Sequence, residues 1–420
     1  MIVLGDDCPA GEIRKKIFSS FISSISKKGK NLKKRKTYMD HSATTPLDNR
    51  VLKEMLPYFS KKFGNPSSLY SYGMEAKISL ENTRERLATL VNAKPEEIIF
   101  TSGGSESDNL ALRGVAYANR KKGNHIITSE IEHPAVLRTC EALEKEGFRI
   151  TYVPVDNDGI IRLDELENSF TKETILVSVM HANNEIGTIQ PIEKIAELCK
   201  EKEIYFHTDA VQSFGKLKID VSRVPLTMFS LSAHKIYGPK GVGAIFIRKG
   251  TKLTPQITGG PQELSVRAGT ENLAGFVGLV KAAELMHSEM EKENERLSSI
   301  RDHIIKKLSM ISDSRLNGHK EKRLSNNINM TFRYIEGESL LTMLDMAGVA
   351  ASTGSACSSA SLKASHVLLA IGLKHPEAHG SLRLTLGREN TKQDADFVIS
   401  KVPEIVSKLR KLSPLNKNNF

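Results

Sequence analysis

Lys235 stands in the string SAHKIYGPKGVGA, beside His234 and three residues after Ser232, between the apolar run of TMFSL and a glycine-rich turn. Asp209, in FHTDAVQ, precedes it by about 26 residues. Further upstream, TSGGSESDN puts Gly103, Gly104 and Ser105 at a strand-to-helix turn, and NLALRGVAYANR continues as a helix. The free N–H groups at such a helix start can hold a phosphate. Each signal alone has an ordinary explanation. Glycine–serine turns after strands are mostly structural, and a lone acid at a strand end is more often a cap or turn residue. In the order phosphate loop, aspartate, lysine they become specific. A buried lysine beside a phosphate site forms a Schiff base with pyridoxal 5'-phosphate (PLP), and an aspartate pairs with the pyridinium nitrogen.

These residues need elements to carry them. From Thr37 onward short β-rich runs alternate with helical stretches, which predicts an α/β fold with a mainly parallel sheet. EIIFTSGG, NHIITSEIEH, TILVSVMHANNEIG, EIYFHTDAVQ, TMFSLSAHKIYG and GAIFIRKG read as strands or strand ends, and each polar cluster falls just after its strand. Ligands of open α/β sheets sit beyond the carboxyl ends of strands, so the clusters are expected to converge on one pocket. The charged helical pattern AELMHSEMEKENERLSSIRDHIIKKLSMI leads to a second unit near Leu316, with a boundary placed near residue 292.

Composition narrows the class. The 420 residues are 39% hydrophobic and 26% charged, which suits a globular chain of two domains. No apolar run approaches the ~20 residues of a membrane-spanning helix. Four cysteines (Cys8, Cys140, Cys199, Cys357) form no CxxC pair, so neither a disulfide framework nor a zinc knuckle is expected, and a reducing compartment fits. Residues 1–36 hold ten Lys or Arg against three acids, +7 of the chain's net +11. A nucleic-acid reading therefore rests on this extension alone, and direct nucleic-acid binding is not expected. Ile13, Ile17, Phe21 and Ile25 give the extension one apolar stripe, as in an organelle presequence. Its acids and its preference for Lys over Arg favour instead a flexible extension. The strings DHSATTP, RAGTENLAG and SHVLLAIGL resemble bacterial or archaeal sequences more than mitochondrial ones, which favours the cytoplasm over an organelle matrix.

Further motifs extend the pattern: YMDHSATTPLD, FGNPSS, EHPAVLRTCEALEKEGF, MHANNEIGTIQPI, RAGTEN, EGESLL, STGSACSSAS, GSLRLTLGREN and LRKLSPL. Together with the strings above, over roughly residues 37–414, the chain resembles cysteine desulfurases of the NifS/IscS group, PLP enzymes of fold-type I in the class-V aminotransferase superfamily. The resemblance implies a large PLP domain, residues 37–292, with a mainly parallel seven-stranded sheet. It also implies a smaller α/β domain, residues 293–420, to which the N-terminal segment contributes and which carries a catalytic cysteine loop. Lys235 would form the Schiff base, Asp209 would pair with the ring nitrogen, and Gln212 would donate to the phenolic oxygen. His133 would stack on the ring and shuttle protons. Gly104, Ser105, Ser232 and His234 would hold the phosphate, with Thr270 reaching in from the second subunit of a homodimer. Asn184 would touch cofactor and substrate, and Arg383 would pair with the substrate carboxylate.

Cys357 decides the reaction that the resemblance implies. It would take the sulfur of L-cysteine as a persulfide, leave alanine, and pass the sulfur to an iron–sulfur scaffold protein or a tRNA-thiolation partner, transiently ligating a nascent cluster. No resident metal is expected. Small residues on both sides of Cys357 predict a mobile loop, and its reactive form is the thiolate. Cys140 and Cys199 lie in helical patterns and read as structural, and Cys8 has no assignment. Another fold-type I enzyme, such as an aminotransferase or selenocysteine lyase, would share Lys235 and Asp209 without needing Cys357. A sulfur-relay protein on a dead scaffold would be expected to have lost Lys235, Asp209 or Arg383. Departures from the family are Ser105 for Thr, Ala233 for Gly, Pro261, Leu264 and Ser265 in GGPQELSVRAGT, and Lys363–Ala364 for Glu–Pro.

Overall fold

A computed structural model describes residues 36–353 and 364–414. Cys357, Lys363 and the extension before Lys36, Cys8 included, lie outside the described residues. After a two-residue strand β1 (Thr37–Tyr38), the large sheet is built from β2 (Ile98–Thr101), β3 (His125–Ser129), β4 (Arg149–Val153), β5 (Thr174–Ser178), β6 (Tyr205–Asp209), β7 (Met228–Ser232) and β8 (Gly243–Ile247). Its strand order is β2-β8-β7-β6-β5-β3-β4. All pairs are parallel except those of β8, which runs antiparallel to both β2 and β7. The connection from Ser232 to Gly243 is too short for the crossover of a dozen or more residues that a parallel pair needs.

Both faces of this sheet are covered, so β2, β3, β5, β7 and β8 are buried along their whole length. That is why they read as continuous apolar runs rather than alternating ones. The strand RITYV (β4) was not among the expected strands. It is an edge strand whose Arg149 is exposed and whose next three residues are half-buried, so its sequence lacks the continuous apolar run of its neighbours.

Beyond the large sheet, β9 (Ser314–Leu316), β10 (Asn327–Phe332) and β12 (Ser381–Thr385) form an antiparallel sheet in the order β12-β10-β9. The short β11 (Val349–Ala350) pairs in parallel with β1. Among the apolar cores of the described residues, one packs on the large sheet and includes Phe100, Phe206, Phe229 and Phe246, and another joins Met39, Ile328, Phe332, Leu340, Leu384 and Val398. The helix Leu273–Leu308 serves both, burying side chains up to Met286 and again from Leu297, with none between. No helix among the described residues is long and apolar enough to cross a membrane.

Candidate active site

The junction after β2 builds one wall. Gly103 has φ +155, a conformation in which a side chain is strained. Gly104 opens the helix Gly104–Asn119, and a Cβ on it would stand 2.6 Å from Val211 Cγ2. Glycine thus lets the helix start approach the end of β6, leaving first-turn N–H groups for an anion. Ser232, the last residue of β7, has its hydroxyl 4.0 Å from where a Cβ on Gly103 would sit. Ser105 is exposed at the same helix start. His234 is half-buried, its Nδ1 3.2 Å from Thr44 Oγ1, and burial, with Lys235 and Lys240, pulls its pKa down to about 4. The ring is neutral at pH 7.

Lys235 closes the short turn Ala233–Lys235. Its Nζ donates to the Ser42 carbonyl, and to the Ala43 carbonyl at 2.9 Å. Gln212 Nε2 donates to the same Ser42 carbonyl at 3.0 Å. Asp209 ends β6, buried, with an oxygen accepting from the Val211 N–H at 2.9 Å. Burial pushes its pKa up, while His133 and Lys235 pull against that. His133 caps the helix Pro134–Lys145, its Nδ1 accepting from the Ala135 N–H at 3.1 Å. Burial lowers its pKa, opposed by Asp209. A neutral His133 therefore carries its proton on Nε2.

Arg383 sits in the middle of β12, 2% exposed. Its guanidinium pairs with Asp40, whose Oδ1 lies 2.9 Å from Arg383 Nη2. Nη1 donates to the Asn184 carbonyl at 3.0 Å, and Nε has no hydrogen-bond partner among the described residues. Arg383 and Ser352, one residue before the end of the described segment, exchange backbone hydrogen bonds. Thr270 is exposed on the loop that departs from the family. Glu263 in that loop is buried, pairs with Arg84 at 2.8 Å and accepts from the Phe100 N–H at 2.7 Å. Cys140 and Cys199 are buried in helices, and burial pushes both thiols up, Cys199 to about 12.

Two residues that sequence reasoning passed over belong here. Lys216 is buried, its Nζ donates to the Gln212 carbonyl at 2.8 Å, and burial, then Lys235, pulls its pKa down to about 7. It and Lys235 line one cavity of about 20 Å³ with His41, Tyr237 and Arg388. Asp108, four residues after Gly104, contributes a carboxylate oxygen that lies within 4.8 Å of ligand atoms of both His133 and Asp209. Its spacing of one helical turn from the phosphate loop was a usable signal.

The donor set suits PLP: an amine, a buried carboxylate, and an anion-binding helix start with a glycine where a Cβ would clash. Comparisons with known proteins agree. The aminotransferase class-V family matches residues 37–398. A cysteine desulfurase IscS of Clostridium botulinum is 56% identical over 384 residues, covering 91% of this chain and 97% of the relative. A solved NifS-like protein is similar with a TM-score of 0.84 and 38% identity, over 89% of this chain and 100% of its own. A structure titled SspA in complex with cysteine has a TM-score of 0.75 and 39% identity, over 83% of this chain and 98% of its own.

Proposed function

The chain belongs to the class-V aminotransferase family, and from that membership we infer a PLP-dependent cysteine desulfurase that converts L-cysteine to L-alanine, with the sulfur carried as a persulfide on Cys357. The observation that carries this reading is the gathering of Lys235, Asp209, His133 and Gln212 beside the helix start at Gly104. When bound, PLP supplies an electron sink for the substrate's Cα. Lys235 provides the amine that holds it, and Asp209 keeps a proton on its ring nitrogen. Gly104, Ser105, Ser232 and His234 hold the phosphate, joined by Thr270 of the second subunit. Gln212 has a second amide N–H, beyond the one given to Ser42, for the phenolic oxygen. His133 exchanges a proton with substrate through Nε2.

Arg383 and Asn184 orient the substrate. Nε, without a partner among the described residues, gives Arg383 a donor for the carboxylate while Asp40 holds Nη2. The Cys357 thiolate takes the sulfur. We assign delivery to an iron–sulfur scaffold protein, with tRNA-thiolation partners as further acceptors, in the cytoplasm. The homodimer is supported by exposed apolar side chains crowded into one stretch: Leu52, Leu56, Phe59, Phe63, Leu69 and Ile78. The division into residues 37–292 and 293–420 belongs to the same reading.

Purified protein incubated with PLP and L-cysteine is expected to release alanine and, with a thiol reductant, sulfide in equal amounts. Cys357→Ser should still change the cofactor's visible spectrum on adding L-cysteine, yet make almost no alanine and no persulfide. Alanine formed by Cys357→Ser at the wild-type rate would sink the desulfurase reading in favour of a lyase acting without an enzyme thiol.

A further inference from the structure

One buried titratable group in the pocket has no role in the reaction as drawn. Asp108 is 1% exposed, on the inner face of the helix Gly104–Asn119, and its Oδ1 has no hydrogen-bond partner among the described residues. Strand register builds its surroundings. Asp209 on β6 lies opposite Ser230 on β7, and His207 on β6 opposite Ser178 on β5. The alternation of a strand puts His207 and Asp209 on one face. His207 Nδ1 bonds Ser178 Oγ at 2.9 Å, and Nε2 bonds Ser230 Oγ at 2.9 Å while standing 3.6 Å from Asp108 Oδ1.

Among the described residues no cation answers Asp108. The groups facing it are Asp209 and Glu132, both acidic, with His133 and His207. Burial pulls His207 down to about 3, so this ring is neutral and offers no counter-charge. Glu132 is also buried, and burial pushes it up to about 8. Two carboxylates this close cannot both ionise cheaply in a buried site. Asp209 has the better claim to the charge, with the Val211 N–H on it and His133 and Lys235 near it. Burial, and then Asp209 itself, pushes Asp108 well up against a side-chain hydrogen bond with Ser230 that pulls the other way, and the balance puts the proton there.

We propose that Asp108 is a positioning residue for Asp209: an uncharged carboxyl, hydrogen-bonded toward Ser230, that leaves Asp209 the single anion of the cluster and holds it where the cofactor's ring nitrogen is to be met. Its use in the cell is retention of PLP. A second charge beside Asp209 would spread the anion over two sites and loosen the pairing with the ring. The proposal rests on the assignment of Asp209 to the ring nitrogen.

An asparagine has the shape of a protonated aspartic acid and no charge, so the two forms of Asp108 separate cleanly by substitution. The holoenzyme and the variants Asp108→Asn, Asp108→Leu and Asp209→Asn are compared by the rate of PLP loss, the pH dependence of the visible band, and thermal melting. Asp108→Asn is expected to keep PLP at the wild-type rate with an unchanged pH midpoint. Asp108→Leu is expected to lose PLP on the order of tenfold faster, because the hydrogen bond to the cluster is gone. Asp209→Asn is expected to lose it faster still. A pH midpoint moved by about one unit in Asp108→Asn would mean that Asp108 carries charge, and would overturn the proposal. Equal retention by Asp108→Asn, Asp108→Leu and wild type would overturn it too, leaving Asp108 a filler of space. If Asp108→Leu does not melt cooperatively, the Asp108→Asn titration alone decides between charged and neutral forms. Wild-type retention by Asp209→Asn would instead remove the ring-nitrogen assignment, and this proposal with it.

Discussion

Lys216 shows how a single buried charge leaves a measurable trace. Its folded pKa of about 7 lies below that of an exposed lysine, ~10.4, so between these values the unfolded chain binds more protons than the folded one. The sign follows: in this window Lys216 makes stability rise with pH, and below about pH 7 its burial as a cation costs stability in full. Lys216→Met, which keeps the chain's bulk without charge, is therefore expected to be more stable than wild type at pH 6. That advantage should shrink as pH rises toward 10, as read by thermal melting across the range. An advantage that does not vary with pH would remove the buried-cation account. The sequence string SFGKLKID did not reveal this role. Lysine is ordinarily a surface residue, and what surrounds Lys216 is distant in sequence: the Asn294 side chain donates to its carbonyl at 2.6 Å.

At the scale of elements, the loop after Gly259 explains why its departures from the family matter. Glu263, Leu264 and Ser265 all have positive φ, at +45, +57 and +65, a region that favours glycine. The family's usual string places a glycine where Ser265 stands. The loop keeps this backbone because buried Glu263 is tied to Arg84 and to the Phe100 N–H. Ser265→Gly is expected to relieve the strain and raise stability by about 1 kcal/mol, seen as a higher denaturant midpoint with an unchanged slope. A lower midpoint would mean that the serine side chain compensates locally. The strands of the large sheet were legible where they are buried along their length. β4 was not, since its exposed and half-buried residues need no apolar run.

At the scale of the whole molecule, the proposed shared site makes a prediction about mixed dimers. Lys235→Ala and Thr270→Ala subunits, allowed to exchange, are expected to form heterodimers with one site free of both changes, and so to regain part of the wild-type rate of alanine formation. No gain despite demonstrated exchange would rule out the contribution of Thr270 across the interface. Recovery in Lys235→Ala alone would show that another amine replaces it.

The sequence by itself determined the α/β class and the strands that end at the site, and its resemblance to a family put forward Lys235, Asp209, His133, Gln212 and Arg383 as the proposed chemical groups. It could do so because residue types and their order along the chain are local information, and strand ends with polar clusters repeat the same short pattern. Only the tertiary structure decided which of them share an atom. Ser42 gives one carbonyl to both Gln212 and Lys235, Arg383 is held by Asp40, and Asp108 lies beside Asp209. Such pairings join residues far apart in the chain, and they follow from strand register and the approach of helices, which no local pattern encodes.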